Sequence, residues 1–286
     1  MAGVLLRTTG GTLLFVAFLW LVRIDDYRVA GMMLTFPMLN GIGLVAAGAN
    51  AERLTKAMLP VITLNGAMCF AFASALVWSQ TARKHPGALT ALAAVLWLGV
   101  YAVLEVRDIA FARRSSMFAY VAGCAAASAA ITYLLWPWCA PDTGQAVVRA
   151  GGVAGVLEGW VTILLFAASL AIVFWFAHRF QHAHAAIGRL AALPMVPLFG
   201  LYTVATVLEP DPAALAKLET LRSMILVGWM LALAFAVALA AFVSRTAFAP
   251  SGTFKHMTAL LIGWGLCLGG IVVSAKFAPM LAGCTQ

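Results

Sequence analysis

Apolar residues fall along this chain in long unbroken blocks, without the two-residue alternation of a half-buried strand. Nine blocks can be cut out, at about 4–22, 29–49, 57–78, 88–106, 116–138, 153–177, 185–208, 222–244 and 257–278. Each is close to the roughly 20 residues a helix needs to cross a bilayer. A spanning β-barrel would show short segments of alternating polarity instead. The pattern predicts an all-α integral membrane protein of about nine transmembrane helices. The connections are short and carry charges or breakers, as in Asp25-Asp26, Asn50-Ala51-Glu52-Arg53, Arg83-Lys84-His85-Pro86-Gly87 and Glu209-Pro210-Asp211-Pro212. Residues 213–220 are expected to form a short interfacial helix ahead of the eighth block. Pro60 is expected near the start of the third helix, where proline is tolerated. Arg7 precedes an apolar core, but no small-residue cleavage site follows, so the first block is expected to stay as a helix.

The second block has an echo in the seventh. Gly31, Pro37, Met38, Gly43 and Leu44 align without gaps on Gly188, Pro194, Met195, Gly200 and Leu201, and the same register places Glu52 on Glu209. Farther on, Ala71-Phe72-Ala73 resembles Ala234-Phe235-Ala236, and Trp97 pairs with Trp264. Blocks one to four thus correspond to six to nine, with block five between them. A single intervening helix turns the second copy upside down. The expected organisation is a four-helix unit over 1–112, a linking helix and loop over 113–150, and a second four-helix unit over 151–286. Inverted repeats of this kind are a recurrent plan of secondary transporters.

Composition sharpens the class. Of 286 residues, 64% are hydrophobic and 10% charged, against about 25% charged in soluble domains. The formal charge of +8 is explained by basic residues that retain loops and touch lipid headgroups, so no nucleic-acid partner is expected. Arg7, Arg53, Lys56, Arg107, Arg113, Arg114, Arg179, Arg189, Arg245 and Lys255 fall on the side shared with the N-terminus. Arg23, Arg28, Arg83, Lys84, Arg149, Lys217, Arg222 and Lys276 fall on the other. The small excess favours a cytoplasmic N-terminus and a periplasmic C-terminus. Cys139 and Cys284 both lie on the face opposite the N-terminus and are candidate disulfide partners if that face is oxidising.

The run Tyr27-Arg28-Val29-Ala30-Gly31, followed by Phe36-Pro37, Ala47-Gly48 and Glu52-Arg53, resembles the GlpM family of small inner-membrane proteins of about four spans. The resemblance covers residues from about 5 to 105, and reaches about 157–278 only through the internal echo. It implies an inner-membrane, cell-envelope setting, including exopolysaccharide production, and brings no molecular activity with it. Envelope-assembly proteins or a second copy are the partners it implies, beside the lipid bilayer. This chain departs from the family in having two units and a linking helix.

Few residues offer chemistry. Pro37 and Pro194 lie inside apolar blocks, where each removes a backbone donor. Paired broken helices would point to a central site; simple packing kinks would produce the same sequence. Asn40 and Asn65 must avoid lipid and find hydrogen bonds, either as glue between helices or along a polar path. Their nearest counterparts in the second copy are Pro197 and Gly228. Glu158 is the acid deepest in an apolar block, so a proton or cation relay is one expectation and headgroup depth the other. Pro37, Asn40, Asn65, Glu158 and Pro194 form the candidate substrate or ion path. His178, His182 and His184 are candidate metal ligands, yet no neighbouring acid or cysteine completes a shell, so no metal or other cofactor is expected. No nucleophile triad or phosphate loop is present, and no catalytic residue is assigned. Two function classes lead, a transporter or translocase-like protein and a non-catalytic membrane scaffold for envelope polysaccharide production or export, with a membrane enzyme a distant third.

Overall fold

The computed structural model describes residues 2–37, 51–106, 153–180, 189–208, 213–245 and 268–274, with isolated positions 123, 126, 130, 262 and 265. Among the described residues the secondary structure is helical throughout, with no strand. Helix α1 (Ala2–Arg23) ends in a tight reversal at Asp25, whose φ of 63° lies in the left-handed region. An aspartate tolerates that region better than most residues. Asp26 then starts α2 (Tyr27–Met33), its carboxylate accepting from the Val29 N–H at 3.1 Å. Helix α3 (Ala51–Trp78) follows, then a single turn, α4 (Gln80–Lys84), capped by the Ser79 hydroxyl accepting from Ala82 at 3.2 Å. Arg83 folds back to donate to the carbonyls of Leu76 and Val77 at 2.7 and 3.0 Å, satisfying the open end of α3. Pro86 opens α5 (Pro86–Val106), a position that needs no backbone donor. Beyond lie α6 (Val153–Phe180), a 3₁₀ turn (Arg189–Ala192), α7 (Met195–Leu208) and α8 (Ala214–Arg245).

The packing is organised around α8, which lies chiefly between α2 and α3. Small residues allow the approach. A Cβ on Gly31 would stand 2.6 Å from the Leu221 carbonyl oxygen, and one on Gly228 would run into the Met32 carbonyl and the Thr35 hydroxyl. With no hydrophobic drive between helices in lipid, such close backbone approach supplies the van der Waals contact that holds a bundle. Helix α1 packs on α6 through Phe15 and Phe166, stacked with ring centroids 4.1 Å apart. Helix α5 packs on α3 and α7, with Trp97 buried in the main core beside Phe72 and Leu76. The helical stretch 268–274 reaches α2 and α8, where Ile271 is buried with Met32 and Met224, and Gly270 meets Leu231. Described helices from the first and second halves of the chain therefore interleave.

Five described helices are long and apolar enough to cross a membrane: Gly3–Arg23, Pro60–Trp78, Pro86–Val103, Trp160–Phe180 and Ala214–Ala236. They match the first, third, fourth, sixth and eighth blocks. The fifth block, apart from isolated positions, and much of the ninth lie outside the described residues. In blocks two and seven the helix is broken near the proline, the alternative expectation to a simple kink. The chain leaves α2 after 7 residues and passes through a turn to Pro37. In block seven the 3₁₀ turn stops at Ala192, the chain breaks at Leu193-Pro194, and α7 runs for 14 residues. The cause is the same in both: proline disfavours helical geometry in the residue before it. Ala213 is a turn residue, and residues 214–220, expected as a short interfacial helix leading into block eight, do not form a helix of their own. They are continuous with α8, since nothing between them and Arg245 breaks a helix, and the 32-residue element is about 48 Å long. Pro60 stands inside α3 instead of near its start, because the helix begins as far back as Ala51.

A polar seam between α3 and α8

Helices α3 and α8 run antiparallel. Near the middle of their contact the Trp229 indole lies directly on Gly66, leaving no room for a Cβ. In the register of the Ala-Phe-Ala echo, Gly66 aligns with Trp229. Burial follows the same register: Val61 and Met224, Ile62 and Ile225, Cys69 and Ala232, Phe72 and Phe235, and Ala73 and Ala236 are all buried. Asn65 precedes Gly66, and its Oδ1 is buried without a hydrogen-bond partner among the described residues; so is Nε1 of Trp229. An unsatisfied buried polar group destabilises by about 1–3 kcal/mol, so this pair is a polar spot in a largely apolar contact.

The seam continues toward the end that carries the α1–α2 connection. There Lys217 pairs with Asp25 at 3.0 Å and stands 5.8 Å from the Tyr27 ring centroid. Arg222, two turns into α8, holds its guanidinium carbon 5.4 Å from the Trp78 ring centroid. Arg23 and Arg28 flank the first connection and Arg83 and Lys84 the α3–α5 connection, so these charges gather at one end, as their sequence positions imply. A Trp at the last residue of an apolar span suits the headgroup level.

The two proline breaks also meet. A Cβ on Gly200 of α7 would lie 2.8 Å from Leu34, and Met33 and Phe36 pack with Leu193, Met195 and Val196. Pro37, Pro194 and Pro197 are buried. Local hydrogen bonds close each break, with Phe36 donating to Met33 at 3.0 Å, Met195 to Leu193 at 2.9 Å, and the Thr35 hydroxyl to Met32 at 3.1 Å.

Of the expected path, the structure places Pro37 and Pro194 at this junction and Asn65 on the seam. Asn40 lies outside the described residues. Glu158 stands on the second turn of α6, just ahead of the span Trp160–Phe180, and its side chain lies outside the described set. His178 is exposed on the last turn of α6, while His182 and His184 lie outside the described residues, as do Cys139 and Cys284. Among the described residues no three His, Cys, Asp or Glu gather where a metal could sit, and Cys69 is a buried free thiol. Sequence reasoning missed Trp229, Arg222 and Ser74. A separate helix over 213–220 made Arg222 look like a loop residue; continuing that helix places it inside the bundle.

No protein-family model, curated protein or solved structure matches the chain.

Proposed function

We propose that this chain is a transporter or translocase-like protein of the bacterial inner membrane, built from two inverted four-helix units, with its polar site where the units meet. The carrying observation is the contact of Gly66 with Trp229, equivalent positions on antiparallel helices, beside the unpartnered Asn65 Oδ1 and Trp229 Nε1. A two-fold axis in the membrane plane brings equivalent positions together in this way. The wider packing supports the same exchange. Blocks one and six pack together, as do three and eight; block four touches three and seven, and the ninth-block stretch touches eight and two. Buried broken helices and unsatisfied polar groups at such an axis are where transporters bind substrate or coupling ion. The GlpM-like resemblance of the first unit supports a cell-envelope setting, and on this reading one chain does what a pair of small units would do. The small excess of basic residues on the side shared with the N-terminus supports a cytoplasmic N-terminus and a periplasmic C-terminus.

The test is solvent access at the axis. In a chain freed of its native cysteines, Asn65→Cys is treated with a membrane-impermeant maleimide in right-side-out and in inverted vesicles. A transport path predicts labelling from at least one side, and labelling from both if access alternates. Protection from both sides removes the path. A second reading, a scaffold for envelope polysaccharide assembly, draws on the closure of the seam by Trp229 over Gly66. It predicts that protection, stable co-purification with envelope proteins, and no flux by the purified protein in liposomes.

A further inference from the structure

The cations at the charged end of the bundle are spent unequally. Lys217 is engaged by Asp25, and Arg83 by the last carbonyls of α3. Arg222 is different. It is only 6% exposed, and its Nε and Nη1 donors are buried without a partner among the described residues. The acid whose charge reaches it, Glu219 one turn earlier on α8, leaves these donors open. A buried guanidinium with unspent donors is strongly unfavourable unless something supplies negative oxygen.

A second group on the facing helix is also unspent. Ser74 is 4% exposed, and its Oγ has no partner among the described residues. The hydroxyls of Thr8, Thr12, Thr90, Thr203, Thr220 and Ser223 all turn back to the carbonyl one turn earlier in their own helices. Ser74 does not. It lies one helical turn before Trp78, the residue over whose ring the Arg222 guanidinium stands. Trp78 itself is 71% exposed at the end of its span, so the ring under the guanidinium opens toward the headgroup layer.

We infer that Arg222, with Ser74 on the facing helix and Trp78 beneath the guanidinium, binds a phosphate group at headgroup depth. An arginine is suited to phosphate oxygens by its planar array of donors, and a serine hydroxyl adds one more. The phosphate belongs either to an anionic phospholipid or to a free solute. The inference needs only the membrane-spanning bundle and is independent of transport.

The full chain is purified in a neutral maltoside detergent after passage through bilayers of phosphatidylcholine alone or of equal parts phosphatidylcholine and phosphatidylglycerol. Native mass spectrometry reads retained phosphatidylglycerol. Thermal unfolding reads protection by inorganic phosphate against chloride of equal ionic strength. A lipid site retains phosphatidylglycerol and ignores phosphate; a solute site does the reverse. In either case Arg222→Gln is expected to weaken binding about tenfold or more, the loss of at least one charge-assisted hydrogen bond, and Ser74→Ala to weaken it less. If Arg222→Gln does not fold, Ser74→Ala decides, since alanine cannot disturb the helix. Absence of both signals in the unmodified chain overturns the inference, as does unchanged binding in every variant that folds.

Discussion

At the scale of single residues, this bundle depends on what is missing from a few side chains. Gly228 lets the backbone of α8 reach the Met32 carbonyl and the Thr35 hydroxyl where the chain leaves α2. Gly228→Ala puts a methyl into backbone, which cannot rotate away, so a loss of about 1–3 kcal/mol is expected from overpacking. Thermal unfolding in detergent checks it, with Gly99→Ala as the control, since a Cβ there meets nothing within 4 Å. Asn65 was legible in the sequence as a polar residue that must find helical company. Trp229 and Ser74 were not, because a tryptophan and a serine in an apolar run are unremarkable until their neighbours are known. What marks them is the absence of a bond, which exists only in three dimensions.

At the scale of elements, hydrophobic blocks located the helices well and their interruptions less well. A block reports how much apolar surface a segment carries, and both a straight helix and a broken one satisfy it. Pro37 and Pro194 signalled a break, but a kinked helix would carry the same prolines. The short α2 depends on its cap. Asp26→Ala removes the acceptor for the Val29 N–H, and a loss of about 1 kcal/mol is expected. It should appear as faster amide exchange over residues 27–33 while α8 stays protected. Continuity of α8 from Ala214 also moves Arg222 from the connection into the bundle. A helix break there, Thr220→Pro, is expected to destabilise by about 3 kcal/mol or more. Because α8 is clamped between α2 and α3, expression of folded protein should fall, as size-exclusion profiles in detergent would show.

At the scale of the whole molecule, the charge positions divide the bundle into two ends. Single cysteines in place of Lys84 and Lys217 are expected to react with an impermeant maleimide from the same side of the membrane, and one in place of Arg179 from the other. Reporter fusions after residue 112 and after residue 149 should give opposite answers if the linking segment crosses once. Equal answers would leave the two units in the same orientation, and the proposed axis would disappear with them. The Gly66–Trp229 contact has a further consequence for ancestry. In a pair of identical units related by such an axis, that position would face its own copy: two glycines would leave a hole, and two tryptophans would collide. A plug and a socket of unequal shape can face each other once the two copies are free to change independently. On the proposed inverted-repeat reading the contact is a lock between unlike halves, and swapping in a second first unit in place of the later one should fail to close it.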